Sequence, residues 1–299
     1  MGKKISICFF GITRNLRKTY PSIKNNIIDP AKKLAEVKIF CHFFEIKSIN
    51  NSRSKEFNIK TENNWNLFED SKIISDPPDL LFKEINLDYI YKFGDRYKDD
   101  FKSIKNLIHQ LTSIQKVFKI SKSFNSDLTI FARPDLLYLD SFEEIIKKNL
   151  FSQDEFITIP SWMGTAGLND RFSICNSCHS AEIYANRIER INENLEYSKQ
   201  GLAGEHLLYY VIKNSNSKIK FMDLRAKRIR ANNNVVEESF KKDFLNKLKE
   251  ISINEKNKFK RFIIGLMIFY FYYFKNKYLK FIKIIYPFFR RIFLKKINK

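Results

Sequence analysis

Apolar and polar positions along this chain follow two alternating rhythms. Short unbroken apolar runs at residues 4–10, 37–44, 127–133 and 156–160 predict buried strands. Shorter strands are predicted at 171–175 and 218–222. Between these runs the apolar positions fall at helical spacing. The clearest case is 101–121, where Ile104, Leu107, Ile108, Leu111, Ile114, Val117 and Phe118 share one face. Helices are also predicted over 20–29, stopped by Asp29-Pro30, and over 141–148, 179–195 and 203–213. The polar, Asn- and Ser-rich stretch 45–66 reads as a loop. Asp76–Asp79 reads as a turn before a short helix, and Ser161–Asp170 as a glycine-bearing loop. Strands alternating with helices predict an α/β fold: a mostly parallel sheet covered on both faces. No internal repeat is visible.

The pattern divides the chain into a main domain over 1–234, a polar linker helix within 235–255 and a tail over 256–299. Charge supports the division. The chain carries 54 Lys and Arg against 33 Asp and Glu, a net +21. Thirteen of the basic residues and no acidic residue follow Glu255, so residues 1–255 account for only +8. The chain is rich in Lys, Asn, Ile and Phe, whose codons are A/T-rich, which further discounts the charge as a nucleic-acid signal. No nucleic-acid partner is expected.

The tail opens with 13 apolar residues, 262–274, where a spanning helix needs about 20. Placed on a helix, Lys277, Lys280, Lys283, Arg290 and Arg291 gather opposite Leu279, Ile282, Ile285, Tyr286, Phe289, Ile292 and Phe293. Pro287 predicts a kink. A basic, aromatic amphipathic helix suits an anionic membrane surface. Packing on the protein's own body and a short re-entrant segment are the alternatives. The apolar run after Met1–Lys4 is too short for a signal peptide, and four cysteines are too few for a disulfide scaffold. The expected location is the cytoplasm, peripheral on the inner face of the membrane.

Candidate chemistry lies where predicted strands end. The segment Thr129–Tyr138 runs from apolar residues into Arg133, Pro134 and Asp135. Ligands of open α/β sheets bind beyond the carboxyl ends of strands, where such charges meet them. A surface ion pair at an ordinary turn is the plainer alternative. Gly11–Asn15 follows the first strand, and Arg14 is suited to pair with phosphate there, although neither GxxxxGK[ST] nor GxGxxG is present. Trp162 offers a ring to stack on a sugar or base. Asn169 and Asp170 can accept from hydroxyls or simply close a turn. Glu205 and His206 follow Gly204 at a helix start. Glu205 is there either as a partner of the helix dipole or as a base toward an acceptor hydroxyl. Gln110 and His109 sit on the long helix, with one of them a candidate for the ligand. Cys175, Cys178 and His179 match the spacing of covalent haem attachment. With no export signal and no fourth zinc ligand, small residues at a helix start are the favoured reading, and no haem is expected.

Taken in order, these stretches resemble bacterial and viral glycosyltransferase-like proteins of surface-polysaccharide (lipopolysaccharide or capsule) synthesis, in the GT-A class. The matching segments are Gly11–Arg14, Phe40–Phe44 with His42, Gln110–Ser113, Arg133–Asp135, Trp162–Phe172 and Gly204–His206, within residues 4–222. The resemblance implies a GT-A-like (Rossmann-like) sheet and transfer of a sugar from a nucleotide-sugar donor to a glycan or lipid-linked acceptor. It implies donor binding by Gly11, Arg14, Gln110, Arg133, Asp135, Trp162 and Asn169, with Asp170 and Glu205 as catalytic groups. GT-A enzymes usually hold the diphosphate through a metal on D-x-D. Here Arg133 stands at the first Asp position, so either Asp135 alone binds Mn²⁺ or Mg²⁺, or Arg133 neutralises the diphosphate without metal. A catalytically inactive, membrane-associated scaffold of the same fold is the alternative function.

Overall fold

The computed structural model describes residues 2–51, 54–78, 82, 85–164, 167–241 and 244–274. The amphipathic tail positions 275–299, the end of the Asp76–Asp79 turn and positions 165–166 of the predicted loop lie outside the described residues. The chain forms a first compact unit, Met1–Asn246, and a second that begins at Lys247.

The first unit opens with β1 (Lys4–Gly11), then α1 (Leu16–Ile23), a π-helical stretch over 24–28, α2 (Asp29–Lys32) and β2 (Glu36–Phe44). A hairpin of β3 (Ser48–Asn51) and β4 (Glu56–Lys60) precedes β5 (Ser71–Asp76). Next come α3 (Leu87–Tyr91), α4 (Lys102–Ser121), β6 (Leu128–Ala132), β7 (Leu136–Tyr138), α5 (Glu143–Leu150), β8 (Phe156–Pro160) and β9 (Ser173–Cys175). The unit continues with α6 (Cys178–Ala185), α7 (Ile191–Ser198), α8 (Gly204–Lys213), β10 (Lys218–Met222) and β11 (Ala226–Arg228). Two further helices follow, α9 (Phe244–Asn254) and α10 (Lys258–Phe274). No helix among the described residues is long and apolar enough to cross a membrane.

The fold class is the expected one, a mixed and mostly parallel sheet flanked by helices. Seven strands take the order β10-β8-β9-β6-β1-β2-β5. All run parallel except β9, which is antiparallel to β6 and β8. The chain steps outward from β1 to β2 and β5, then returns through α4 to place β6 on the other side of β1. The strand order therefore reverses between β1 and β6, and a crevice opens at their carboxyl ends. Every residue of β6 and β8 is buried, as a sheet covered on both faces requires. In α4 the buried Ile104, Ile108, Leu111, Ile114, Val117 and Phe118 confirm the helical stripe.

Four local expectations need correction. The helix near residue 20 does not stop at Pro30 but runs on through α2. The wider π turn over 24–28 absorbs the misfit that proline makes with the preceding carbonyls. The stretch 45–66 holds the β3–β4 hairpin. Ser71–Asp76, not expected as a strand, is the sheet edge, where mixed polarity is tolerated. The polar linker helix expected from residue 235 begins only at Phe244.

Candidate functional site

At the crevice between β1 and β6 lies a cleft of about 390 Å³. Gly11, Arg14, Gln110, Arg133, Asp135, Asp170 and Glu205 all line it, although they span almost 200 positions of sequence.

The end of β1 is shaped by Gly11, whose φ of +101° disfavours any side chain. Its N–H donates to Ser113 Oγ of α4 (2.8 Å). The same Oγ lies 2.8 Å from the carbonyl oxygen and from Nδ1 of His42, at the end of β2. His42 Nε2 lies 2.8 Å from Asp76 Oδ2, and Lys116 Nζ also bonds that oxygen. Burial lowers the His42 pKa and outweighs the attraction of Asp76. Nε2 of the ring faces Asp76, and Nδ1 faces the Ser113 hydroxyl, whose one proton goes to the His42 carbonyl. This clamp ties the ends of β1, β2 and β5 to α4 and sets where the turn bearing Arg14 leaves the sheet.

The end of β6 is held as firmly. Thr19 donates to the Pro134 carbonyl (2.6 Å), and the Arg133 N–H donates to the Tyr138 hydroxyl (3.0 Å). Arg133 and Asp135 form a two-pronged pair, Nε to Oδ1 at 2.9 Å and Nη2 to Oδ2 at 2.7 Å. Arg133 Nη1 donates to Gln110 Oε1 (3.2 Å), whose amide nitrogen donates to Asp170 Oδ2 (3.2 Å). Arg14 reaches Asp135 at 3.5 Å. One polar chain thus runs from Arg14 through Asp135, Arg133 and Gln110 to Asp170. Burial alone would raise the Asp135 carboxyl, but Arg133 and Arg14 hold it below its ordinary range.

Asp170 and Glu205 meet at the start of α8. A Cβ on Gly204 would lie 2.6 Å from Asp170 Oδ2, so the close approach of that carboxylate requires glycine. Burial raises the Glu205 pKa, and the neighbouring Asp170 adds to it. A carboxyl raised toward neutrality is suited to exchange a proton with a hydroxyl.

Two residues expected at the ligand are buried away from the cleft lining. Trp162 is 1% exposed and is absent from the cleft lining. Its Nε1–H donates to the Leu224 carbonyl (2.8 Å), Phe240 packs edge-on, and the Arg171 guanidinium covers the ring at 4.8 Å. Asn169 is also buried, donating to the Trp162 carbonyl (2.8 Å) and accepting from the Arg171 N–H (3.1 Å). It shapes the loop that presents Asp170 and Arg171. Cys175 is buried in the sheet while Cys178 is exposed at the start of α6, where Ser177 forms the cap. His109 lines the cleft, with Nε2 2.9 Å from the Pro78 carbonyl.

The sequence reading missed Arg171, Arg228 and Arg230. β11 pairs with β7 so that Arg228 lies opposite Leu136, and the Ile229 N–H donates to the Asp135 carbonyl (3.0 Å). Arg228 and Arg230, two apart in extended chain, both line the cleft. Glu238, with 1% of its side chain exposed, pairs with both Arg228 (2.7 Å) and Arg171 (3.1 Å). Burial draws the Arg171 pKa down to about 10, and Arg228 adds to this. The Arg-Pro-Asp string alone shows one arginine; the hairpin-like return of β11 supplies two more.

This donor set does not suit a divalent cation. Both oxygens of Asp135 are bonded to Arg133, and the groups next nearest are guanidiniums. Among the described residues no three His, Cys, Asp or Glu side chains gather as a metal site.

No protein-family description and no curated protein matches the sequence. Among solved structures, the chain is similar to core-mannan synthase A from Aspergillus fumigatus in its Mn/GDP form. That likeness has 8% identity and a TM-score of 0.44, covering 83% of this chain and 82% of that one. It is similar to mouse xyloside xylosyltransferase 1 at 12% identity and TM-score 0.40, covering 74% and 85%. The mannosyltransferase Ktr4p from S. cerevisiae gives 7% identity and TM-score 0.40, covering 75% and 70%.

Proposed function

We propose that this chain is a glycosyltransferase that moves a sugar from a nucleotide-sugar donor to a cell-surface glycan or lipid-linked acceptor. The observation that carries the reading is convergence. Gly11, Arg14, Gln110, Arg133, Asp135, Asp170 and Glu205, scattered over the chain, line one cleft at the reversal of strand order. That cleft is cationic toward Arg14 and Arg230 and carries a carboxylate pair at Asp170 and Glu205. A donor with a diphosphate at one end and a sugar at the other matches this polarity.

In the proposed reaction, the acceptor oxygen forms a bond to the anomeric carbon. The bond from that carbon to the phosphate oxygen breaks, and the nucleoside diphosphate leaves with the electron pair. Glu205 takes the acceptor hydroxyl proton, and Asp170 orients the sugar or acceptor. The raised pKa of Glu205 supports this role, since a stronger base accepts the proton more readily. We further propose that the tail holds the protein at the cytoplasmic face of an anionic membrane, near a lipid-linked acceptor.

A thermal-shift panel of UDP-, GDP-, CDP- and ADP-sugars on the full chain tests the reading. One donor is expected to stabilise the protein, by about 2.7 kcal/mol at a hundredfold excess over Kd. Glu205→Gln is expected to keep that shift and lose about 100-fold or more in sugar transfer. A well-folded sample that none of these donors shifts would remove the proposal. A shift without turnover would favour a binding scaffold.

A further inference from the structure

The cationic end of the cleft has more positive charge than its neighbours neutralise. Arg14 lies 3.5 Å from Asp135, a carboxylate already bonded through both oxygens to Arg133. The Arg14 Nε is buried and has no hydrogen-bond partner among the described residues. Arg230 lies 3.9 Å from Glu56, whose other oxygen accepts the Ala231 N–H. Arg228 shares the single carboxylate of Glu238 with Arg171. Burial depresses the Arg230 pKa, and Arg14 and Arg228 add to the effect, so these three guanidiniums act on one another.

Like charges held together at low exposure are costly unless an opposite charge joins them. A divalent cation would meet the same three guanidiniums and would have to displace Arg133 from a buried two-pronged pair. A diphosphate would relieve the repulsion and fill the open donors, and guanidinium forks match its oxygens. We propose that the cleft holds the diphosphate of its ligand directly through Arg14 and Arg230, with Arg228 beside them, and does so without a divalent cation. The nucleotide-sugar reading names the anion; independence from a cation follows from the arginines themselves.

Calorimetric titration of the full chain with pyrophosphate and with UDP, GDP, CDP and ADP tests this, each run in EDTA and in Mn²⁺. The expected result is the same affinity in both buffers. Arg14→Gln and Arg230→Gln each weaken binding about tenfold, as loss of a charged hydrogen bond predicts. Arg230→Lys keeps the charge without the fork and falls between. Arg225→Gln, which removes an exposed charge paired with Asp140, leaves binding unchanged. Thermal melts identify any variant that fails to fold.

Binding that vanishes in EDTA overturns the inference and leaves the nucleotide reading standing. Binding in EDTA that ignores Arg14→Gln and Arg230→Gln in folded protein also overturns it. Arginine-dependent binding of pyrophosphate in EDTA, with no nucleoside diphosphate bound, upholds the inference and removes the nucleotide reading. No binding of any probe in either buffer overturns both.

Discussion

Asp135 is the residue on which the site's polarity turns, and it is 2% exposed. Its pair with Arg133 is buried, so removing one partner strands the other charge. Asp135→Ala is therefore expected to destabilise the protein by about 3–5 kcal/mol, read as a lower midpoint in urea unfolding. A loss below about 1 kcal/mol, the range of an exposed pair, would contradict the buried geometry. Loss of activity in this variant would report folding as well as chemistry, which is why Arg14 and Arg230 are better probes of the ligand. At this scale Arg14 and Glu205 were legible as cleft residues, because charged groups after a strand and at a helix start point to the crevice of an α/β sheet. Trp162 was misread for a physical reason. A tryptophan ring serves equally as a stacking face or as core, and only its neighbours Arg171 and Phe240 decide.

Among the elements, the strand ends around His42 carry a pH dependence of stability. The ordinary His pKa is 6.5, and burial lowers that of His42 in the folded state. The unfolded chain therefore takes up the proton first as pH falls. Stability from this site is complete above about pH 6.5 and is lost as pH drops through the window below it. Asp76, held below its ordinary range by Lys116 and His42 against the opposing effect of burial, adds a second loss at lower pH. The melting temperature is expected to fall between pH 7.5 and pH 5.5, and His42→Gln is expected to flatten that fall. An equal slope in both proteins would show that other groups dominate. The core strands were readable as unbroken apolar runs, and α4 because its helical period persists over several turns. β5 and β11 were not. β5 is a polar edge strand, and β11 has three residues, too short for alternation to register.

On the scale of the whole molecule, charge is divided between a nearly balanced body and a basic tail. Full-length protein is expected to sediment with vesicles containing anionic phosphatidylserine and not with neutral phosphatidylcholine vesicles. Replacing Lys277, Lys280, Lys283, Arg290 and Arg291 by Glu should release it, since each such residue contributes about 1 kcal/mol near an anionic surface. Sedimentation unchanged by these replacements would refute the electrostatic attachment.

What the sequence alone determined is what depends on neighbours along the chain. Apolar period set the strands and helices, their alternation set the α/β class, and charge at the strand ends marked Arg14 and Asp135. Tertiary structure decided what depends on residues far apart in sequence. β9 turned antiparallel, the polar chain from Arg14 to Asp170 closed, and Arg228 and Arg230 came to flank Asp135 through the β7–β11 pairing. Hydrogen bonds within a helix are local and leave a period in the sequence. The pairing of β11 with β7 joins residues about 90 positions apart, and nothing near either strand encodes the other.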